Sequence, residues 1–242
     1  MHYTITLIKY VLLTGLFLSI TAAVHGITTF SITAYTSSAD SPLVAGAGEQ
    51  RVILDFENET PGVLVYPGLT ITSLIDNQGI FVLAPGVFTD SVDGDDNTFD
   101  GSGQAGQALG NGANAVGAGN AGYLITFDSP EFAVLPTQAG LVWTDGSSSS
   151  LPVHVTFFDG DGVELTTLIS APLGDGGFSG GTAEDRFFGA EDLGGIGSMF
   201  VRQPGSFNSM EIDHLQWVVA IPEPSSIALA LFSLLFVLSR RR

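Results

Sequence analysis

An all-β fold, an antiparallel β-sandwich of jelly-roll type, is what this 242-residue chain predicts, and three observations carry the expectation. Apolar residues recur with period two in eight short segments. No amphipathic run of ten residues has helical spacing. Gly, Asp, Asn and Ser turns such as Asp145-Gly146 and Asp159-Gly-Asp-Gly162 punctuate the segments.

The expected strands, in order, are Arg51–Glu57, Gly68–Thr72, Gly122–Phe127, Gly140–Thr144, Pro152–Phe157, Gly162–Leu168, Met199–Arg202 and Met210–Val219. Each alternates, as in Leu69-Thr-Ile-Thr72 or Val153-His-Val-Thr-Phe157, so that one face turns to a core and the other to water. Phe56, Phe127, Trp143, Phe157 and Trp217 are the expected core, because large rings bury the most area. Two stretches break the pattern. Asp90–Asn120 is rich in Gly, Asn, Ala and Asp and reads as one long loop, and Asp175–Gly181 reads as a shorter, looser one.

Composition narrows the chemistry. With no cysteine, disulfides, thiolate zinc sites, iron–sulfur clusters and Cys nucleophiles are excluded. Seven basic residues against 25 acidic ones exclude a nucleic-acid partner, which needs clustered Lys and Arg. A hydrophobic share of 45% with 17 Phe is too apolar for a disordered acidic tail, so a core must form.

The termini read as processing segments. Residues 1–26 place Lys9 before an apolar run from Val11 to Val24, which is a secretory signal peptide engaging the Sec machinery and signal peptidase. Small residues allow cleavage after Ala23 or after Gly26, the latter preferred. At the other end, residues 221–242 give Ile221-Pro222-Glu223-Pro224-Ser225-Ser226, an uncharged run Ile227–Ser239, and Arg240-Arg241-Arg242. Thirteen helical residues rise only about 20 Å against a hydrocarbon core of about 30 Å. Snorkelling arginines and interfacial serines close the gap, and the positive-inside rule leaves Arg240, Arg241 and Arg242 in the cytoplasm. Residues 27–220 then lie outside the membrane as the β-sandwich domain. Between Ile27 and Ile221, Arg51, Arg186 and Arg202 face 24 carboxylates, a formal charge of −21.

This tail of Pro-Glu-Pro, apolar helix and arginine cluster resembles the PEP-CTERM sorting signal of Gram-negative bacteria. The resemblance covers about the last 22 residues. It implies recognition by an exosortase, cleavage near Pro222, Glu223 and Pro224, and transfer from a transient single-pass inner-membrane anchor to the cell surface or the extracellular matrix. Thr182–Ala190 and Ile212–Trp217, within a stretch from about Leu54 to Trp217, also resemble a recurrent surface domain of PEP-CTERM and planctomycete-like secreted proteins. That second resemblance implies a β-sandwich and no activity.

Two catalytic motifs match only by spelling. Gly101-Ser-Gly-Gln-Ala-Gly106 follows a polar stretch and precedes no helix, so it lacks the strand and helix that a dinucleotide site needs. Gly177-Phe-Ser-Gly-Gly181 would need a strand entering and a helix leaving to strain Ser179 into a nucleophile. Of the four histidines only His154 and His214 survive removal of the leader, too few for a His-based zinc site. His154 reads as a half-exposed strand residue. His214, beside Glu211 and Asp213, could carry a charge. Glu184-Asp185 beside Arg186 is either an ion pair or a cation ligand.

Calcium is the stronger chemistry, because hard cations take Asp, Asn and carbonyl oxygens from Gly-permitted loops. Asp90, Asp93, Asp95, Asn97 and Asp100 crowd one loop. It is not an EF-hand, since Thr98 stands where Gly is required and Gln104 where Glu is required. Asp159-Gly-Asp161 is a second half-match, with Val163 in the fifth position. A glycosidase pair would need two carboxylates across a cleft, and among 24 acids none is singled out; the loops offer Phe88, Phe99 and Phe178 but no Trp. The expectation is a non-enzymatic structural or adhesive surface protein of a polysaccharide-containing biofilm matrix. A calcium-dependent carbohydrate-binding module is the alternative, and a secreted glycoside hydrolase comes third.

Overall fold

The computed structural model describes residues 26–57, 59–60, 66, 68–74, 80–84, 89, 91–92, 107–110, 122–127, 134–146, 150–173, 184–205 and 210–221. Among these, the strands are β1 (Thr28–Thr29), β2 (Thr33–Ala34), β3 (Glu49–Leu54), β4 (Leu69–Ser73), β5 (Phe81–Val82), β6 (Leu109–Gly110), β7 (Tyr123–Phe127), β8 (Gln138–Gly146), β9 (Pro152–Phe158), β10 (Glu164–Pro172), β11 (Arg186–Glu191), β12 (Ser198–Arg202) and β13 (Met210–Ala220). The helical element among them is a single 3-10 turn, Ser38–Asp40, capped by the Ser37 hydroxyl. No helix of the described residues is long and apolar enough to cross a membrane; residues 1–25 and 222–242 lie outside them.

Two antiparallel sheets form. One runs β1-β11-β8-β13-β6-β5, with β2 also on β11 and β3 also on β13; the other runs β10-β9-β12-β7-β4. Stripped of the shortest strands and of β4, the orders β3-β13-β8-β11 and β7-β12-β9-β10 are those of an eight-stranded double Greek key. The chain changes sheet at β3 to β4, β4 to β5, β6 to β7, β7 to β8, β8 to β9, β10 to β11, β11 to β12 and β12 to β13, so the turns gather at the two ends of the sandwich.

The eight strands expected from period two all form, with ends shifted by a few residues, because each carries an apolar row that must leave water. Val153, Val155 and Phe157 of β9 and Ile125 and Phe127 of β7 face Leu141 and Trp143 of β8 and Trp217 of β13 in one core. Phe56, Phe127, Trp143, Phe157 and Trp217 are buried as expected. The Phe127 and Trp217 rings meet across the sheets at 5.8 Å, and the Tyr123 hydroxyl donates to the Met210 carbonyl at 2.7 Å, which ties β7 to β13.

The eight-stranded sheet is buried on its far side too. Residues 26–34 pair along the β11 edge as β1 and β2, and residues 35–48 continue over the outer face as a strap: Tyr35, Leu43 and Ala45, with Phe30, pack on Val142, Phe187 and Val218 in a second apolar cluster. Gly140 of β8 and Gly189 of β11 lie opposite one another and leave room for the Phe187 ring, which a Cβ at Gly140 would meet at 2.4 Å.

One strand is added to those expected and one expectation is corrected. Arg186–Glu191 is a full strand, although its Phe-Phe-Gly-Ala run shows no alternation. Within Asp90–Asn120, Leu109–Gly110 is a strand on β13 rather than loop; Leu109 is buried and two residues are too few for any period to show.

Candidate functional site

Three backbone turns meet at one end of the sandwich. The β9–β10 turn is closed by Asp159, whose Oδ1 accepts from the amides of Asp161 at 2.9 Å and Val163 at 2.8 Å. Gly162 follows with φ near 78°, a left-handed geometry that glycine adopts without steric cost. The β11–β12 turn, Asp192–Gly197, is pinned from both sides: Asp192 N donates to the Thr137 carbonyl, Ile196 N to that of Pro136, and Gly197 N to that of Phe158, all at 2.8 to 2.9 Å. A Cβ at Gly197 would stand 2.3 Å from the Asp159 carbonyl oxygen, so only glycine lets the two turns approach this closely. The third wall is the segment preceding β8, which carries Leu135.

Between these turns lies an open cleft of about 410 Å³. Asp159, Asp161 and Asp192 line it, Leu135 and Leu165 give it an apolar wall, and no basic residue contributes. Asp159 and Asp161 close a surface turn, and Asp192, 5% exposed as a residue, lines the cleft with them. The arrangement can hold a ligand rich in donors, since an ionised carboxylate only accepts. Asp159–Asp161, a half-match to a calcium loop, thus reaches a cleft, but by a different arrangement: one Asp159 oxygen is spent on the turn itself. Among the described residues no three His, Asp or Glu side chains gather closely enough to hold one metal ion.

The other loop expected to bind calcium, Asp90, Asp93, Asp95, Asn97 and Asp100, lies outside the described residues; its flanks do not. Val92 N donates to Asp213 Oδ2 at 3.0 Å, and Leu109 pairs with Ile212 of β13. The spelled motifs at 101–106 and 177–181, with Ser179, and the aromatics Phe88, Phe99 and Phe178 also lie outside, as do Pro222, Glu223, Pro224, Arg240, Arg241 and Arg242.

His154 stands half-buried on the outer face of the five-stranded sheet, opposite Arg202 of β12. Burial and the neighbouring guanidinium both lower its pKa. His214 differs from expectation. The register of β13 on β8 slips by one residue between Asp213 and Gln216, a bulge in which His214 takes a positive φ of 39°. The bulge turns the imidazole under the strap, where Nδ1 meets the Tyr35 hydroxyl at 3.0 Å and the ring is 5% exposed. Burial lowers its pKa to about 4, so it is neutral at pH 7 rather than charged. The same hydroxyl accepts from Gln216 Nε2 at 2.9 Å. Asp213 is buried beside it, and desolvation raises its pKa well above the ordinary range although the amides of His214 and Val92 bond its oxygens. In the Glu184-Asp185-Arg186 group both acids are buried, and Arg186 Nη1 donates to the Asp185 main-chain carbonyl at 2.7 Å.

Asp192 is the residue sequence reasoning misses. Asp-Leu-Gly-Gly after a strand reads as a solvated turn, and Asp192 comes to the cleft because that turn approaches the Asp159 carbonyl closely at Gly197.

No protein-family model matches the chain, and no curated protein matches it. Among solved structures it is similar to the K2 cleaved adhesin domain of Lys-gingipain, at 14% identity over 71% of this chain and 98% of that one, with a TM-score of 0.47. It is similar to the K1 cleaved adhesin domain of Lys-gingipain from Porphyromonas gingivalis W83 at the same identity and coverage, with a TM-score of 0.42.

Proposed function

We propose that the chain is an exported surface protein whose jelly-roll sandwich serves, without catalysis, as a structural or adhesive component of an extracellular polysaccharide matrix. The observation that carries the binding role is the acid-lined cleft on braced turns at one end of the sandwich. Rigid turns hold a ligand site at little ordering cost, and loops on a fixed scaffold are where binding residues concentrate.

Export rests on the sequence. Residues 1–26 act as a signal helix that the Sec machinery and signal peptidase process. Residues 221–242 act as a sorting signal, halted by Arg240 to Arg242 and cut by an exosortase near Pro222–Pro224. Strand β13 ends at Ala220, two residues before Pro222.

Two measurements test the proposal. Intact-mass analysis of protein from a strain possessing an exosortase should show loss of about the last 20 residues, whereas replacing Pro222-Glu223-Pro224 by alanines should leave a full-length membrane form. An unprocessed native C-terminus refutes the sorting role. Purified protein should also co-sediment with matrix polysaccharide from the producing cells, and failure to do so refutes the adhesive role.

A second reading, a calcium-dependent carbohydrate-binding module, is favoured by the fixing of both flanks of the Asp90–Asp100 loop, at Val92 and at Leu109–Gly110. Its mark would be a melting temperature raised several degrees by Ca²⁺ but less by Mg²⁺ at equal ionic strength, and lost on changing Asp93 and Asp95 to Asn.

A further inference from the structure

We infer that the end of the sandwich from which both chain termini leave is seated on a zwitterionic phospholipid surface, through exposed aliphatic side chains, while the C-terminal tail spans the bilayer. This rests on the reading of residues 221–242 as a membrane-spanning tail, and adds to it the part of the folded domain that touches lipid. Three observations carry it.

The first is where the exposed apolar side chains fall. Single ones scattered over a surface need no explanation, but a gathering at one place does. Of the seven large apolar side chains exposed among the described residues, five lie at this end: Val44, Val134, Val163, Leu193 and Ile221, each 46% to 70% exposed. The hydrogen bonds fix their place. The main chain of Val44 is bonded in both directions to the side chain of Gln138, which opens β8, and Val134 lies in the segment just before it. Val163 stands in the β9–β10 turn and Leu193 in the β11–β12 turn, and Gly197 N joins the two turns by donating to the Phe158 carbonyl. Ile221 N, just past β13, donates to the Gly48 carbonyl at 2.8 Å.

The second observation is that both termini leave here. Thr28 of β1 pairs with Glu191, and Ala220 of β13 with Glu49, so residues 26 and 221 stand at this same end. The third is reach. Six steps separate Ile221 from Ile227, where the uncharged run begins, and a fully extended chain covers at most about 22 Å over them. A domain on so short a tether must turn this end toward the lipid. Its turns are already braced, so presenting the side chains costs little ordering.

Tethering also explains how a weak contact can matter. A held domain meets the surface at an effective concentration of roughly mM, whereas a few aliphatic groups on a free domain of formal charge −21 would not keep it there. The seat therefore lasts as long as the tail does. Asp159, Asp161 and Asp192, at the same end, keep the contact shallow and disfavour anionic headgroups.

The test exploits the absence of cysteine, which makes one introduced thiol a unique point of labelling. The full chain in its exported form is returned from mild detergent to phosphatidylcholine vesicles, carrying a fluorophore at Val163→Cys, at Leu193→Cys or, as the control, at Leu74→Cys. Leu74 is exposed too, but its amide bonds to Gly122, five residues along β7 from this end and so about 17 Å away. Lipid with a nitroxide headgroup should quench the first two labels about threefold or more above the control. Val44→Asp combined with Val134→Asp should bring quenching at Leu193→Cys down to the control value, while the protein melts like the parent and still floats with the vesicles. Equal quenching at all three positions in protein that floats would overturn this inference and leave the anchoring tail standing, as would quenching unmoved by the two aspartates. Protein that does not float with the vesicles would overturn both. Disulfide-linked dimers of unlabelled Leu193→Cys, without quenching, would give this end to a second copy and overturn the lipid contact.

Discussion

The two sheets of this sandwich treat their outer faces in opposite ways. The eight-stranded sheet is roofed by residues 35–48, so that all nine residues of β8 are buried. The five-stranded sheet leaves its outer face to solvent: Thr70 and Thr72 of β4 are exposed, and Thr126, Phe200, Arg202 and His154 are half-buried. The roofed face holds polar groups in fixed bonds, with Tyr35 joining His214 and Gln216, whereas on the open face the Thr167 hydroxyl donates to exposed Glu164 at 2.8 Å. Burial converts the same kinds of side chain from adjustable surface groups into parts whose partners cannot be replaced by water.

The contrast is broken most severely at Tyr35. Tyr35→Ala removes a ring stacked on Phe187 and strands the buried His214 and Gln216 groups, and should cost about 3–5 kcal/mol, read as a large drop in denaturation midpoint. Phe200→Ala, on the open face, should cost about 1 kcal/mol or less. Comparable losses would mean that the strap is no structural roof.

Acid sharpens the comparison next. The folded state holds His214 neutral with a pKa of about 4 against 6.5 in the open chain, so the unfolded state binds the extra proton between those values. Stability linked to His214 is complete above pH 6.5 and falls as the pH drops toward 4, by up to about 3 kcal/mol. Asp213 works in the opposite sense, because its raised pKa keeps a proton in the fold that the unfolded chain releases as pH rises. Unfolding curves of parent and His214→Gln between pH 4 and 7 isolate the histidine: the difference between them should change across that window. For His154→Gln, on the open face, it should change less. A pH-independent difference for His214→Gln would remove the buried imidazole from the account.

Gly140→Ala should cost about 1–3 kcal/mol, since its methyl meets the Phe187 ring and the Phe188 carbonyl. The smallest effect is expected from Thr72→Ala, within about 0.5 kcal/mol, because the side chain stands in water. A melting-temperature series over the two substitutions would rank them, and a reversed order would contradict the burial described above.

The same contrast governs what the sequence shows. Strands with one wet face, such as β4, β7 and β9, announce themselves by alternation, and the eight expected strands all form. β11 escapes because Phe187 turns out to the strap cluster and Phe188 in to the core, so both positions are apolar and no period remains. His214 reads as a surface histidine because nothing local signals the bulge or the strap that encloses it. The cleft is the least legible part. Asp159 and Asp161 stand out as a turn, but Asp192 joins them through contact between turns some thirty residues apart, which no pattern in either segment records.

The strap also bears on the order of assembly. β1 and β2 complete their ladders only on β11, near residue 190, and β3 only on β13, which ends at Ala220. A chain delivered from its N-terminus therefore exposes the strap and β3 first and supplies their partners last. Such sequence-distant pairing makes closure slow and entropy-limited. The roof and the final strand can settle only once nearly the whole domain is available, so a truncated chain yields an open sheet with bare edges rather than a smaller sandwich.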